Sequence, residues 1–229
     1  EDETGWGQQG RAGLIMDNLI AAGKARPFII VMASSYVPGA NFGFSTNAVE
    51  SPLSRSIAGP GGRTYNPSAF AKMLIEDLIP YIDATHRTLA DQPHRAMAGL
   101  SMGGMQTRAI APANLDMFSH IGIFSGGSLA LSDIPDLDAF KQKIKVVFVS
   151  FGSRENGSAS KSNVTALQQA GINSVYYESP ETAHEWQSWR RSLREFAPLL
   201  FLDQPLPPAI IPEPLKPTSA ATAPAVPKT

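Results

Sequence analysis

Cysteine is absent from the 229 residues, which removes disulfides, thiolate catalysis and cysteine-based zinc sites together. A charge excess is missing as well: nineteen Lys and Arg stand against twenty Asp and Glu, for a net charge of −1. No broad field is then available to attract a polyanion, and nucleic acid is not expected as a partner. No apolar run approaches the roughly 18 residues that a membrane-spanning helix needs, so no membrane partner is expected either. The opening "EDETGWGQQG" has neither the basic start nor the apolar centre of a secretory signal. It also lacks an initiator Met and reads as the middle of a loop, so a fragment or a processed chain is expected.

What remains is a chain with 43% hydrophobic and 17% charged residues, enough for one sizeable core and one domain. "RAGLIMDNLIAA" (11–22) has helical apolar spacing with Gly23 as its stop, and "PFIIVMA" (27–33) reads as a buried strand. A long loop rich in Gly, Ser, Pro and Asn follows over 34–67, carrying Phe42, Phe44 and Tyr65. It is either a solvated insertion or a wall over a site. An amphipathic helix is expected over 68–86 with Ser68 as N-cap, then strands over 94–100, 118–127, 144–152 and 172–179, and a last helix over 184–202. Strands alternating with helices imply an open, mostly parallel α/β sheet covered on both faces, with functional groups at the carboxyl ends of its strands. Past residue 202 the chain turns Pro- and Ala-rich, and 203–229 reads as an extended tail or linker.

Within "AGLSMGGMQT" (98–107), Gly99, Leu100, Ser101, Met102 and Gly103 match GxSxG, at the junction of an expected strand and helix. That is the setting of a nucleophile elbow, where a serine is held on a sharp turn by close passage of glycine backbone. An unassisted hydroxyl is a poor nucleophile, so Ser101 needs a base. The chain has four histidines. His94 and His120 lie at the starts of strands, at or near the wrong end of the sheet, and His86 at a helix end suits a structural role. His184, between the last strand and the last helix, is left as base. The third member should be a carboxylate that orients the imidazole. Between Ser150 and Tyr177 the acidic residue is Glu155, in "SFGSREN". Glu181 and Glu185 are rivals close to His184, and Glu155 could also be a solvated loop charge. The Met102 backbone N–H would donate to the oxyanion.

The stretches "AGLSMGGMQT", "SFGSREN" and "TAHEWQSWRRSLREFAPLLF", with "DETGWGQQGRAGLIMDNLIAAGK" and "IEDLIPYIDATHRT", resemble the feruloyl and acetylxylan esterases of carbohydrate esterase family 1, in the esterase D group. The resemblance implies an α/β-hydrolase fold over 1–202 and a serine esterase that needs no metal or cofactor. Its implied substrate is feruloylated or acetylated xylan or oligosaccharide. It also implies secretion or a periplasmic location, and fusion to other carbohydrate-active modules. By the same resemblance the nucleophile falls on Ser101, the base on His184 and the acid on Glu155, where many relatives have Asp. Trp6, Ser125 and Trp186 are expected to touch substrate, although Trp186 and Trp189, three apart on the last helix, also suit core packing. In relatives a strand and a His-Gly type loop, which carries the second oxyanion donor, precede the segment matching "EDETGW". The domain is therefore expected to be incomplete at its N-terminus, with a gap in the sheet between "PFIIVMA" and "HRAMAGL". An enterochelin-type esterase, an acyltransferase of the same fold and a non-catalytic carbohydrate-binding module are the competing readings.

Overall fold

The computed structural model describes residues 4–34, 57–58, 64–65 and 68–202. In chain order its elements are α1 (Gly5–Gln8), α2 (Ala12–Ala21), β1 (Ile57–Ala58), β2 (Thr64–Tyr65), α3 (Ser68–Lys72), α4 (Ile79–Thr85), β3 (Ala96–Leu100), α5 (Met102–Ile110), β4 (His120–Phe124), α6 (Leu137–Lys143), β5 (Val146–Gly152), α7 (Ser158–Gln169), β6 (Ser174–Ser179) and α8 (Trp186–Phe196). The expected linker over 203–229 and the loop aromatics Phe42 and Phe44 lie outside the described residues.

Strands β3, β4, β5 and β6 form a parallel sheet in that order, in register Gly99–Ile123, Phe124–Ser150 and Ser150–Tyr177. The near-continuous apolar sequences of β4 and β5 follow from burial along their whole length on both faces, whereas β3 exposes Ala98 and β6 exposes Glu178. Ile121, Ile123, Val147 and Val149 point to one face, where they pack with Ile110 of α5, Phe140 of α6 and Leu167 of α7. Phe124, Val146, Phe148, Val175 and Tyr177 point to the other, against Trp189 and Phe196 of α8. A smaller cluster of Met16, Leu19 and Ala197 attaches α2 beside α8. Side chains of alternate residues leave a strand on opposite faces, so one apolar run feeds both layers.

Local chemistry explains the ends. Helix α2 stops where Gly23 takes φ +65°, with Gly23 N–H on Ile20 O at 2.9 Å and Lys24 N–H on Leu19 O at 2.8 Å, the paired bonds of a Schellman cap. Between α3 and α4 the helix widens over Met73–Leu78, and the Ile79 N–H reaches back to Leu74 O. Pro80 has no N–H to give Glu76 and its ring crowds that carbonyl, so the turn before it opens.

One expected strand does not form. Residues 27–33 carry no strand, and Ile29, Ile30 and Val31 are 52%, 39% and 45% exposed. Apolarity alone does not make a strand; the backbone also needs partners along its edges. Among the described residues β3 pairs with β4 alone. A cavity of about 1140 Å³ separates the other edge of β3 from 27–33, lined by Phe28 to Ala33 on one side and Ala96 to Ser101 on the other.

At the amino end of the sheet His120 is 1% exposed, its Nδ1 is 2.7 Å from Ser119 Oγ and its Nε2 accepts the Phe201 N–H at 3.3 Å. Burial, with Lys145 and His94 nearby, holds its pKa down to about 4. The unfolded chain, with an ordinary histidine, binds this proton first on acidification, so the native state loses stability as pH falls from about 6.5 to about 4. Urea unfolding should show this loss, on the order of 3 kcal/mol at full effect. His120→Gln should flatten that part of the pH profile, and an unchanged slope would show that other groups cause it.

Candidate active site

The carboxyl ends of β3, β4 and β5 and the loop after β6 converge on one group of polar side chains. Ser101 follows β3 directly, with φ +51° and ψ −114°, a backbone conformation that costs on the order of 1–3 kcal/mol for a residue with a side chain. It is held by its own N–H on Phe124 O at 2.8 Å and by glycine contacts on both sides. A Cβ at Gly99 would lie 2.2 Å from the Gly103 carbonyl carbon, and one at Gly126 would lie 2.5 Å from the Gly104 Cα. Strand, turn and helix can pass this closely only without side chains there.

His184 sits in the turn before α8, with Nε2 2.8 Å from Ser101 Oγ and Nδ1 2.8 Å from Glu155 Oε1. The His184 side chain is 49% exposed and that of Glu155 is 12% exposed. With Glu155 ionised, Nδ1 carries the imidazole proton and Nε2 is left to accept from the serine hydroxyl. Such an arrangement can move a proton from Ser101 Oγ to His184 while a nearby carboxylate balances the imidazolium. The two rival carboxylates are elsewhere: Glu185 is the N-cap residue of α8 with Oε1 accepting the Ala183 N–H, and Glu181 takes φ +57° with its N–H on Ser153 Oγ. Met102 is the first residue of α5, beside the serine.

Glu155 is more firmly held than its place in a Gly- and Ser-rich loop foretells. Its Oε2 accepts the Gly152 N–H and the Ser125 hydroxyl, each at 2.7 Å. Ser125, expected to face substrate, thus spends its hydroxyl on the acid. Trp189 Nε1 donates to Ser125 Oγ at 3.1 Å, and its ring meets the His184 ring edge-on at 5.1 Å between centroids. The sequence offers Trp189 as a candidate substrate wall or core residue, and no local pattern links it to Ser125 or Glu155.

Of the aromatic residues expected near substrate, Trp6 and Trp186 are half-buried and stack edge-on at 5.5 Å, and Trp186 meets Trp189 at 5.3 Å. All three line the cavity beside β3, as do Ser101 and His184. The polar group of Ser101 and His184 thus borders an apolar cavity that three tryptophans help to line.

Comparison with known proteins gives this geometry a family. The chain is 42% identical over 201 residues to an endo-1,4-beta-xylanase/feruloyl esterase of Xylanibacter ruminicola, a match over 88% of this chain and 25% of that protein. The chain thus spans about a quarter of the length of that curated relative. Among solved structures it resembles a ferulic acid esterase at TM-score 0.64 and 22% identity, over 87% of this chain and 80% of the other. The feruloyl esterase module of Clostridium thermocellum, complexed with sinapinate, aligns at TM-score 0.62 and 17% identity over 88% and 74% of the two chains. These likenesses show the fold, a parallel sheet of the α/β-hydrolase kind flanked by helices. The Esterase family model matches residues 2–157, more than half of the sequence, and the chain belongs to that family.

Proposed function

We propose that this chain is a serine esterase that hydrolyses feruloyl esters on plant cell-wall polysaccharide, such as arabinoxylan, through an acyl-enzyme. The observation that carries the reading is the unbroken hydrogen-bonded chain Ser101–His184–Glu155, with the serine on a turn of positive φ at the end of a parallel strand. The name of the Xylanibacter ruminicola relative supports the substrate class.

In the proposed reaction His184 Nε2 takes the hydroxyl proton as Ser101 Oγ bonds to the ester carbonyl carbon. The Met102 N–H faces the developing oxyanion, and Glu155 stabilises the imidazolium. Collapse of the tetrahedral intermediate breaks the bond to the sugar oxygen, which leaves with the proton from His184. Water, deprotonated by the same nitrogen, then cleaves the acyl-enzyme to release the carboxylic acid and restore Ser101. Trp6 and Trp186 provide a wall suited to an aromatic acyl group. No step calls for a metal or a cofactor.

The proposal extends to the whole polypeptide: an esterase domain over 1–202 followed by a Pro- and Ala-rich linker, secreted and joined to other carbohydrate-active modules. The edge of β3 left unpaired among the described residues, and the part of the cavity between Ala96–Leu100 and 27–33, support one further strand there, supplied from outside the described residues and carrying the second oxyanion donor, with the part at Ser101, His184, Trp6 and Trp186 left for substrate.

Hydrolysis of methyl ferulate, acetylated xylan and a siderophore ester, measured side by side, tests the reading. Methyl ferulate is expected to be cleaved with the highest kcat/KM. Faster acetate release would replace the feruloyl assignment with an acetylxylan one. No turnover of any ester, together with no labelling by a serine-directed phosphonate, would favour a binding module.

A further inference from the structure

We infer that Trp189 and Ser125 act as a positioning pair that sets the direction of the Glu155 carboxylate and, through it, of His184; this rests on the triad roles proposed above. The chemistry of the donors fixes the polarity of the connection. An indole N–H can only donate and an ionised carboxylate can only accept. The Trp189 Nε1–H therefore enters Ser125 Oγ at 3.1 Å, and the Ser125 hydroxyl hydrogen is directed to Glu155 Oε2 at 2.7 Å. With the Gly152 N–H on the same oxygen, Oε2 is engaged twice, and Oε1 is left for His184 Nδ1 at 2.8 Å. The carboxylate cannot rotate without losing three bonds at once.

Two further observations separate this from ordinary packing. Ser125 follows β4 with φ +49°, the left-handed region, so the fold holds a serine in a conformation that glycine would adopt without strain. Its N–H is anchored on Ser150 O at 2.7 Å, which fixes the hydroxyl between α8 and the loop after β5. Trp189 is 5% exposed and also abuts the His184 ring, so one rigid side chain constrains the acid through Ser125 and the base by direct contact. Helix α8 thereby ties both partners of Ser101 to one residue.

The experiment compares Ser125→Ala, Ser125→Gly, Trp189→Phe and the Ser125→Ala/Trp189→Phe double variant on methyl ferulate. Active sites are counted by phosphonate titration so that only folded enzyme enters the rate. Ser125→Gly relieves the backbone conformation while removing the hydroxyl, which makes it the variant best placed to fold. Both Ser125 variants are expected to lose about tenfold in kcat with KM within about twofold, the scale of one hydrogen bond to a charged group. Trp189→Phe, which keeps an aromatic ring, smaller than the indole, but not the N–H, should lose several-fold. The double variant should be no slower than Ser125→Ala, because both changes act through one connection. Wild-type kcat per titrated site in Ser125→Gly and Ser125→Ala would overturn the inference, as would losses that multiply in the double variant. An inactive Ser101→Ala alongside normal Ser125 and Trp189 variants would overturn the positioning role alone, whereas an active Ser101→Ala would overturn the triad beneath it.

Discussion

Ser101→Ala is expected to lower kcat/KM for ester hydrolysis by at least about ten-thousandfold, the scale seen when the nucleophile of a serine triad is removed. The change deletes one oxygen and keeps the groups that hold the turn. The residue 101 N–H still reaches Phe124 O, and Gly99 and Gly104 still allow strand and helix to pass. Thermal unfolding should therefore stay close to that of the parent while turnover falls to a residual rate and phosphonate labelling vanishes. His184 would remain 49% exposed and hydrogen-bonded to Glu155, able to act as a weak base toward water, which sets the residual rate. Turnover in this variant within tenfold of the parent would show that the hydroxyl is not the attacking group.

The second large effect is on folding. At Gly99 an added methyl group would lie 2.2 Å from the carbonyl carbon of Gly103, 2.3 Å from its oxygen and 2.8 Å from its Cα. Those atoms are backbone of the first turn of α5, which cannot retreat without carrying Ser101 away from His184. Gly99→Ala should destabilise the protein by about 3 kcal/mol or more, in the range of severe overpacking, and any folded remainder should have lost most of its activity. Gly103→Ala is the control. A Cβ there meets nothing within 4 Å among the described residues. Alanine is preferred to glycine inside a helix by about 0.5–1 kcal/mol, so that variant should melt at or above the parent temperature. The two glycines of one GxSxG match are thus expected to differ in kind, and equal melting temperatures for the two variants would contradict the clash.

Much of the fold was legible because its signals are local. Strands β4 and β5 read as short apolar runs since both are buried on both faces, and α2 and α8 read by their period and, for α2, by the glycine that ends it. "PFIIVMA" carries the same apolar signal and forms no strand, because pairing is a property of two segments and not of one. The glycine logic was only half legible: GxSxG marks Gly99 and Gly103, whereas the close contacts fall on Gly99, Gly104 and Gly126.

The candidate site divides along the same line. Ser101 could be picked out by its motif, and His184 and Glu155 by their positions after successive strands, since a parallel sheet brings its carboxyl ends to one side. That much is decided by chain order. Which oxygen of Glu155 faces the imidazole, what holds the other, and why Trp189 is placed there depend on contacts between residues far apart in sequence: 83 positions between Ser101 and His184, 64 between Ser125 and Trp189. The sequence by itself determined the alternation of strands and helices, the strained serine between them and the residue types at the strand ends, because periodicity, turn chemistry and chain order act over a few residues. Only the tertiary structure decided that 27–33 forms no strand and that Trp189, Ser125 and Glu155 are connected, because hydrogen-bond partners and close contacts exist only once distant segments have packed together.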